Sequence, residues 1–338
     1  MSESADRNMS ILVTGAGGGA GLSILKSLQD TEHRVIAADG EVLATGLYTT
    51  GKGYVVPYAN SPAFIERLLE ICEIERVRLL FSGLDAELPV LARHRKVFDE
   101  HGVTLVVSDE RVVQICDDKL ATSEFLAGQG LPFPKTCMLS DLAGDALAFP
   151  LVIKPRVGGA RSKGVRMVKT SAELRKVRDE MDGAMFVAQE LIDGPEYTCG
   201  TITLDGYCRG AIVVRRILRD GDTYKAFVER DAVLEAFVTE VANRLQPFGP
   251  CNFQLRMRQG VPYIFEFNGR YSGTTYCRAL AGFNEPGMIA DFLLNGTQPR
   301  FDVRQITVLR YWKELVVENE SVAACEASGE VSIRAGNL

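Results

Sequence analysis

Polar and apolar residues alternate in two neighbouring stretches in the last third of the chain. Residues 265–270 read Phe-Glu-Phe-Asn-Gly-Arg, and as a strand they place Glu266, Asn268 and Arg270 on one face. The two phenylalanines then point the other way, into a core. Residues 252–257, Asn-Phe-Gln-Leu-Arg-Met, alternate in the same manner. Because a glycine-containing turn separates the stretches, the pattern predicts an antiparallel hairpin.

The alternation also predicts which residues face each other across this hairpin. An odd-length loop centred on Gly260 pairs Gln254 with Glu266 and Asn252 with Asn268. The expected apolar partners on the opposite face are Phe253, Leu255 and Met257 with Phe267, Phe265 and Tyr263. Oxygens of Gln254, Glu266 and Asn268 are ligands that Mg²⁺ accepts, usually together with substrate phosphates. The alternative is an ordinary half-buried hairpin whose polar face meets water.

The N-terminal third alternates between apolar strands and helices. The predicted strands are 11–14, 35–39, 77–81 and 103–107, and a helix begins at Leu22. A glycine turn at 15–21 precedes that helix, and Asp39 ends the second strand. This order is close to the dinucleotide-binding fingerprint, in which glycines admit a phosphate and an acid meets a ribose. An NAD(P) enzyme is therefore one hypothesis, although the same turn serves any strand-to-helix corner of a doubly wound sheet.

Two acids follow the strand at 77–81, near the edge where an open parallel sheet binds its ligands. Asp85 and Glu87 are therefore candidate contacts for a substrate amine or hydroxyl. The alternative is structural, since acids also cap and begin helices.

The middle of the chain combines a lysine-bearing strand with a glycine loop. The strand at 151–155 carries Lys154, and the loop at 158–164 leads into another predicted strand. Such a loop can fold over a triphosphate, with backbone N–H groups and Lys163 or Arg161 meeting the anionic oxygens. The alternative is a surface hairpin loop with solvated cations. The Walker order of residues is missing from this loop.

Two further segments carry candidate binding groups. Between two predicted strands, the bend at 189–192 could offer backbone groups to an adenine edge while Glu196 reaches a ribose. Arg215 and Arg216, at the end of a later strand, could hold a substrate carboxylate as a fork. The alternatives are a plain connection between strands and solvated cations at a strand edge.

Composition narrows the class of protein. The 338 residues are too many for one ordinary core, so two or three domains are expected. A net charge of −6 argues against a nucleic-acid or membrane-surface protein and favours small-molecule partners. Eight cysteines without a CxxC spacing and three histidines indicate neither a zinc site nor a disulfide framework. With no long apolar span or signal sequence, a cytoplasmic protein is expected.

Taken in order, these segments resemble the ATP-grasp superfamily, and within it the synthetase domains of the carbamoyl-phosphate synthase large subunit. The resemblance extends from Ile11 to about Asn295. The matching motifs are Asp118-Lys119, Val152-Ile153-Lys154-Pro155, Gly158 to Gly164, Gln189 to Ile192 with Glu196, Asn252-Phe253-Gln254, and Glu266 to Arg270. The chain departs from the family pattern at Gly269, where proline is usual, and at Ala160-Arg161 in the glycine loop.

The resemblance implies a role for each matching residue. The implied ATP-binding residues are Lys119, Lys154, Gly158, Gly159, Ser162, Lys163, Gln189, Glu190, Leu191, Ile192 and Glu196. Among them, the two lysines at 119 and 154 would meet phosphates, the bend would frame adenine, and Glu196 would hold the ribose. Gln254, Glu266 and Asn268 would bind one or two Mg²⁺ ions, with Mn²⁺ as an alternative. Arg270 would be the catalytic residue that steadies an acyl phosphate.

The expected fold is α/β, with α+β character in the second half. A Rossmann-like domain at 1–115 would precede an ATP-grasp fold whose two α+β subdomains clasp ATP. The first subdomain, 116–205, would contain a linker helix and the glycine-rich lid, and the second, 206–300, the metal-binding hairpin. Residues 301–338 would form a C-terminal extension, strand-like at 306–311 and 315–317 and loosely held from Ser328 onward.

The resemblance also implies a reaction. A ligase of this kind joins a carboxylate to an amine or other nucleophile and forms ADP and phosphate through an acyl-phosphate intermediate. Its partners would be those small molecules, and a homodimer is expected from the family alone. Two alternatives are a catalytically idle ATP-grasp module that binds nucleotide and the NAD(P)-binding oxidoreductase. The oxidoreductase hypothesis leaves the second half of the chain unexplained.

Overall fold

The computed structural model describes residues 10–142, 146–159 and 163–333, and it begins with a doubly wound sheet. The parallel strands are β1 (Ser10–Thr14), β2 (Arg34–Asp39), β3 (Lys52–Val55), β4 (Val77–Ser82) and β5 (Thr104–Val106). The helices are α1 (Gly19–Leu28), α2 (Phe64–Ile74), α3 (Leu88–Arg93), α4 (Arg95–Glu100) and α5 (Glu110–Asp117), with 3₁₀ turns at Thr45–Tyr48 and Asp85–Glu87. The order β3-β2-β1-β4-β5 is that of a Rossmann-like domain.

Apolar runs explain why this sheet was predictable. Leu12 and Val13 point to opposite faces of β1 and both are buried, because helices cover both faces of a parallel sheet. The predicted strands are confirmed to within a residue or two. β3 was missed, since Lys-Gly-Tyr-Val is not an apolar run. The carboxyl ends of β1, β2 and β4 share one edge, where the glycine turn, Asp39 and Asp85 therefore lie.

A smaller antiparallel sheet follows. It contains β6 (Thr136–Met138), β7 (Leu151–Pro155), β8 (Arg166–Val168) and β9 (Phe186–Glu190), in the order β6-β9-β7-β8. The helices of this part are α6 (Lys119–Gly128) and α7 (Ser171–Glu180). Asp118 caps α6 by accepting hydrogen bonds from the backbone N–H groups of Leu120 and Ala121, at 2.9 and 3.3 Å. The strand predicted at 151–155, which carries Lys154, is confirmed.

A larger antiparallel sheet forms the third part. Its strands are β10 (Glu196–Leu204), β11 (Tyr207–Arg219), β12 (Asp222–Glu229), β13 (Gly249–Arg258), β14 (Val261–Asn268) and β15 (Thr307–Leu309). They lie in the order β14-β13-β10-β11-β12-β15. The helices are α8 (Ala232–Leu245), α9 (Thr275–Leu280) and α10 (Glu285–Asn295). Within the described residues, no helix has both the length and the apolar character needed to cross a membrane.

The β13–β14 hairpin confirms half of the predicted register. Asn252 pairs with Asn268 and Gln254 with Glu266, as expected. The turn, however, is the two-residue Gln259-Gly260 with positive φ at both positions, so Leu255 pairs with Ile264. Phe265 is left as a bulge, half-buried, while Ile264 enters the core. The expectation that Phe265 packs opposite Leu255 is therefore wrong.

The C-terminal segment returns to the N-terminal sheet. After α11 (Asn319–Ser328), strand β16 (Glu330–Ser332) pairs antiparallel with β3, and Lys52 Nζ lies 2.8 Å from Glu330 Oε2. The expectation of a loosely held tail from Ser328 onward is thus wrong for 328–332. In the same extension, β15 confirms the strand predicted at 306–311, whereas 315–317 is not a strand.

One hydrophobic core joins the N-terminal sheet to the large sheet. It contains Ile11 and Phe81 from the first and Ile212 from the second, together with Tyr271 and Phe283 from the segments after β14. The rings of Phe81 and Tyr271 lie 5.4 Å apart, centroid to centroid. This shared core holds the carboxyl edge of the N-terminal sheet against the end of β14, which places the candidate site.

Candidate active site

Lys154 reaches from β7 of the small sheet to the β13–β14 hairpin of the large one. Its Nζ donates a hydrogen bond to the carbonyl oxygen of Phe265 at 3.1 Å. Phe265 is the bulged residue, so the irregularity in β14 lies where the lysine arrives. Burial, with a smaller contribution from the charge of Lys119, lowers the pKa of Lys154 to about 8 against the opposing effect of the Glu266 carboxylate. The two sheets thus bring Lys154 and Glu266 together.

Lys119 lies at the foot of the glycine loop. It is the first residue of α6, and its Nζ donates to the carbonyl oxygen of Gly158 at 2.7 Å. Gly158 and Gly159 have φ of +71° and +80°, values that suit glycine. Lys163 is described at the far end of this loop, but Ala160, Arg161 and Ser162 lie outside the described residues. Both predicted phosphate-binding lysines therefore flank the loop and the hairpin.

Side chains of the bend after β9 form hydrogen bonds with other residues of the protein. Gln189 Nε2 donates to Thr136 Oγ1 at 2.8 Å, and Arg258 Nη1 donates to Glu190 Oε1 at 2.7 Å. Ile192 is buried, and the backbone N–H of Leu191 lies 3.4 Å from the carbonyl oxygen of Pro150. The backbone N–H of Glu190 also donates within the protein, to the carbonyl oxygen of Lys135 at 2.9 Å, and the adenine contact of this bend stays a prediction.

Glu196, the expected ribose ligand, is held by two arginines. Arg216 Nε donates to one carboxylate oxygen at 2.9 Å, and Arg256 Nη2 donates to the other at 2.8 Å. The same Arg216 donates to Gln254 Oε1 at 2.8 Å. Arg216 therefore links the ribose candidate to a metal candidate, which is a different arrangement from the expected substrate fork.

Arg215 lies apart from this network. Its Nε donates to Glu229 at 2.6 Å, and its guanidinium stacks over Phe227, 4.2 Å from the ring centroid. Successive strand residues point to opposite faces, so Arg215 and Arg216 cannot converge on one carboxylate. The expectation of a two-arginine fork is therefore wrong.

Arg270 forms the contact between the hairpin and the N-terminal sheet. Its Nε donates to Asp85 Oδ1 at 2.5 Å, and its Nη2 donates to Asp85 Oδ2. Its Nη1 donates to the carbonyl oxygen of Tyr271 at 2.8 Å, and Nη2 also lies 3.4 Å from Asn268 Oδ1. The structure thus brings Asp85 of the N-terminal sheet to Asn268 and Arg270, which the sequence analysis had selected together on the hairpin.

Glu87 lies deeper than Asp85. Its carboxylate accepts hydrogen bonds from the hydroxyls of Thr14 and Ser82, the latter at 2.5 Å. Burial raises the pKa of Glu87 to about 7, although both hydroxyls oppose the shift and the charge of Asp39 adds to it. Glu87 therefore supports the ends of β1 and β4 beneath the crevice, and it does not reach Arg270 as Asp85 does.

Asp39 explains the dinucleotide-like fingerprint without a nicotinamide. Its Oδ2 accepts from the backbone N–H of Gly17 at 2.8 Å, and its Oδ1 accepts from that of Glu41 at 3.0 Å. Both oxygens thus hold the backbone at the ends of β1 and β2. This arrangement is the structural alternative for the glycine turn.

A buried ionic cluster behind the hairpin was missed by the sequence analysis. Arg278 Nη1 lies 2.9 Å from Glu285 Oε1, and both side chains are 1% exposed. Its Nη2 donates to Asn252 Oδ1 and, at 3.1 Å each, to Ser272 and Thr274. The available signal was a glycine inside β10, Gly200, where a Cβ would overlap the guanidinium. The cluster fixes the residue opposite Asn268 and the turn after Arg270.

The hairpin residues can be tested for their fit to a magnesium ion. Among the described residues, no group of three or more His, Cys, Asp or Glu could hold a metal. Glu266 and the amide oxygen of Asn268 are hard ligands side by side on one face of β14, which suits an ion that takes most ligands from phosphates and water. Gln254 fits less well, because its amide oxygen already accepts from Arg216.

Two family models match the chain. Residues 11–106 match the PylC-like N-terminal domain, and residues 183–315 match the ATP-grasp in the biosynthetic pathway with Ter operon. The D-alanine--D-alanine ligase A of Bacillus cereus is 25% identical over 225 residues, covering 57% of this chain and 73% of that protein. The carbamoyl phosphate synthase large chain of Thermomicrobium roseum is 25% identical over 196 residues, 51% of this chain and 18% of that protein.

Solved structures agree in fold. An ADP complex of N5-carboxyaminoimidazole ribonucleotide synthetase superposes with a TM-score of 0.71 at 15% identity, covering 88% of this chain and 79% of that one. The two family models and the ligase relative support the resemblance to the ATP-grasp superfamily, and residues 11–106 are similar to a PylC-like N-terminal domain. The predicted fold class is confirmed. These relatives are named as ligases and synthases, in agreement with the predicted class of enzyme.

Proposed function

We propose that this protein is an ADP-forming ligase that joins a carboxylate to an amine or other nucleophile through an acyl phosphate. The observation that supports this most directly is the meeting of Lys154 and Glu266, from two different sheets, beside Asn268 and Arg270. A nucleotide enzyme needs cations for phosphate and oxygen ligands for its metal at one place. The fold supplies both at the junction of the two sheets.

Lys154 and Lys119 are proposed to bind the nucleotide phosphates. Burial disfavours the ammonium of Lys154, and only Glu266 supplies a compensating charge among the influences on its pKa. An incoming phosphate brings negative charge next to Lys154 and stabilises its ammonium form. Phosphate binding is therefore favourable, because the carboxylate of Glu266 alone does not compensate for the burial of that ammonium. Lys119, at the base of the glycine loop, would meet the same phosphates from the other side.

Glu266 and Asn268 are the residues that would hold Mg²⁺. The ion would supply charge neutralisation at the transferring phosphoryl group. The carboxylate of Glu266 lies near Lys154. Asn268 pairs across the hairpin with Asn252, whose side chain is held by hydrogen bonds from Thr198 and Arg278. The protein therefore presents a pre-oriented pair of oxygen ligands, which favours a defined phosphate geometry.

Arg270 is proposed to steady the reacting carboxylate and then its phosphorylated form. The guanidinium is already bound bidentately to a carboxylate, that of Asp85. A substrate carboxylate would occupy the same fork, and Asp85, once released, could accept a hydrogen bond from the amine nucleophile. Closure of the loop that begins at Gly158 would exclude water from the acyl phosphate.

Eight free cysteines, six of them buried, fit a reducing compartment, and we propose a cytoplasmic location on that basis. Small-molecule substrates are proposed as the partners, since the candidate site combines a deep lysine with a domain crevice.

Phosphate release tests the proposal. Purified protein with ATP and Mg²⁺ is assayed against pools of carboxylic acids and amines, with Glu266→Ala as the blank. We expect release that depends on one acid pool and is lost in Glu266→Ala, whose thermal midpoint stays near that of the wild type. Glu240→Ala, a surface acid on α8 paired with Arg244, is the matched control and should retain full activity. Full activity in Glu266→Ala would refute the metal assignment. ATP binding without release in any pool would favour the idle module.

A further inference from the structure

A cavity opens at the amino ends of β2 and β3, at the other end of the N-terminal sheet from the candidate active site. It encloses about 450 Å³ and lies between the last turns of α1, the loop into β2, the segment into β3 and strand β16. Sites that bind small molecules commonly have volumes of roughly 300–1,000 Å³. The cavity is therefore large enough for a small ligand, and it is separate from the residues assigned to ATP.

One side of this cavity is apolar. Leu25 and Leu28 of α1 line it, and both belong to the core that joins the N-terminal sheet to the large sheet. Val35 of β2 also lines the cavity and packs against that core. Gly51, on the way into β3, has no side chain, and a Cβ there would meet nothing within 4 Å. A bound molecule thus finds apolar surface to bury and a stretch of backbone that it can approach.

The charged lining of the cavity is basic. His33, Arg34 and Lys52 line it, and none of the described lining residues is acidic. The whole chain carries a net charge of −6, so this basic lining is a local feature. A concave site lined by one sign of charge concentrates ligands of the opposite sign. The lining therefore favours an anion.

Acids that lie outside the lining hold the three basic side chains in place. Lys52 Nζ lies 2.8 Å from Glu330 Oε2, His33 Nε2 lies 2.9 Å from Asp291 Oδ1, and Arg34 pairs with Glu75. The ammonium of Lys52 has three N–H groups, and Glu330 accepts from one of them. The hydrogen bonds of Arg34 to described residues use Nη1 and Nη2, and they leave Nε to donate. The acids offset part of the positive charge, but they fix these side chains and leave donors for a ligand.

We propose that this cavity binds a small organic anion, a molecule that combines a carboxylate or phosphate group with a short apolar chain. Arg34 and Lys52 bind the anionic group, and the apolar chain lies against Leu25 and Leu28. Because the lining comes from α1, β3 and β16, the ligand binds only the folded protein and stabilises the attachment of the C-terminal strand. The proposal does not depend on the proposed function, since none of the lining residues belongs to the candidate active site.

Thermal unfolding of the full chain tests the site with two compounds, monobutyl phosphate and hexanoate. We expect the midpoint to rise in a saturable way with at least one of them, because such a compound meets the cations and the apolar side together. Inorganic phosphate and butanol each supply one half of the interaction and should have much smaller effects at the same concentrations. The compound with the larger effect identifies the anionic group that the site prefers. No rise with either compound would overturn the proposal.

Variants at Ser332 place the effect in the cavity. Ser332 is exposed on β16 and lines the cavity, so Ser332→Phe fills part of it without removing a charge. The rise in midpoint is measured from the midpoint of each variant without compound. It should be lost in Ser332→Phe and kept in the matched control, Ser332→Ala. A rise that persists in Ser332→Phe would mean that the compound binds elsewhere and would contradict the proposal.

Removal of one whole ion pair tests the role of charge. The double variant Lys52→Gln, Glu330→Gln leaves neither charge alone and should weaken binding of the compound at least about fivefold. Arg166→Gln, Glu180→Gln removes a pair on the small sheet and is the matched control, which should keep the affinity of the wild type. Calorimetric titration measures the affinities, and circular dichroism checks that each variant is folded. Equal affinity in the two double variants would refute the assignment of Lys52 to the anion.

Discussion

Lys154 is a cation that the protein surrounds almost completely, and its titration should be visible in nucleotide binding. Burial lowers its pKa to about 8 in the ligand-free protein, so the ammonium form prevails at pH 7 and is lost above pH 8. We predict that ATP affinity falls about tenfold or more between pH 7 and pH 9.5, since a charged hydrogen bond contributes about 1.5–3 kcal/mol.

Calorimetric titration with ATP and Mg²⁺ at several pH values measures this dependence. Lys154→Arg is the control, because a guanidinium keeps its charge throughout the range. Its affinity should vary little with pH, even if the altered geometry weakens it overall. An equally steep pH dependence in Lys154→Arg would assign the titration to another group.

Asp85 and Arg270 form an ion pair that the proposed reaction must open. Asp85→Asn removes the carboxylate that occupies the arginine fork, so a substrate carboxylate should bind more readily and its KM should fall about fivefold, near 1 kcal/mol. The KM of the amine should rise, because its acceptor is gone. Steady-state kinetics with each substrate varied in turn separates the two effects. Arg270→Ala is the comparison and should lower kcat more than ATP affinity. If both KM values moved together in Asp85→Asn, the two roles assigned to Asp85 would be wrong.

At the scale of single elements, alternation was enough to predict the pairing of Gln254 with Glu266 and of Asn252 with Asn268. It could not predict the bulge at Phe265. A three-residue loop without a bulge and a two-residue turn with one extra residue in β14 both pair Gln254 with Glu266, and the side-chain pattern does not distinguish them. The bulge is nevertheless what lies under Lys154. Contacts between strands that are distant in sequence, such as this one, follow from packing and cannot be read from either strand alone.

The cluster around Arg278 was missed for a related reason. A charged residue in a short helix normally indicates a solvent-facing position, and only the assembled fold shows Arg278 buried beside Glu285. The prediction that Arg215 and Arg216 form one fork was wrong for the opposite reason. The two residues are neighbours in sequence, but successive side chains of a strand point to opposite faces. The fold class and the pairing of the hairpin near its candidate residues were predictable, whereas the partners of each charge were not.

Arg278 binds both the hairpin, through Asn252, and the turn that follows it, through Ser272. Replacing it should therefore affect both the stability and the activity of the protein. Arg278→Met leaves Glu285 as an unpaired buried carboxylate and should cost about 3–5 kcal/mol of unfolding free energy. The double variant Arg278→Met, Glu285→Gln should recover much of that loss. It should not recover activity, because Asn252 and Ser272 still lack the hydrogen bonds from the Arg278 guanidinium. Denaturant unfolding and phosphate release measure the two quantities. A double variant with normal activity would show that the cluster only stabilises the fold.

At the scale of the whole molecule, strand β16 attaches the C-terminal segment to the N-terminal sheet by pairing with β3. Val331 is buried in the core that the N-terminal and large sheets share, and it packs against Gly53 of β3, where a Cβ would lie 2.9 Å from Val331 Cγ1. Because that core spans both sheets, we predict that they unfold in one cooperative transition.

Val331→Asp tests this coupling. The change places a carboxylate in an apolar contact, so we expect a loss of a few kcal/mol in the free energy of unfolding, on the order of burying an unpaired polar group. The loss should shift the whole transition, as followed by circular dichroism and by the heat absorbed in calorimetry. Ser332→Asp, exposed on the same strand, is the matched control and should leave the midpoint nearly unchanged. A separate, earlier transition in Val331→Asp, with the rest of the protein unaffected, would instead indicate that the N-terminal sheet folds independently and that the shared core contributes little to holding Asp85 against Arg270.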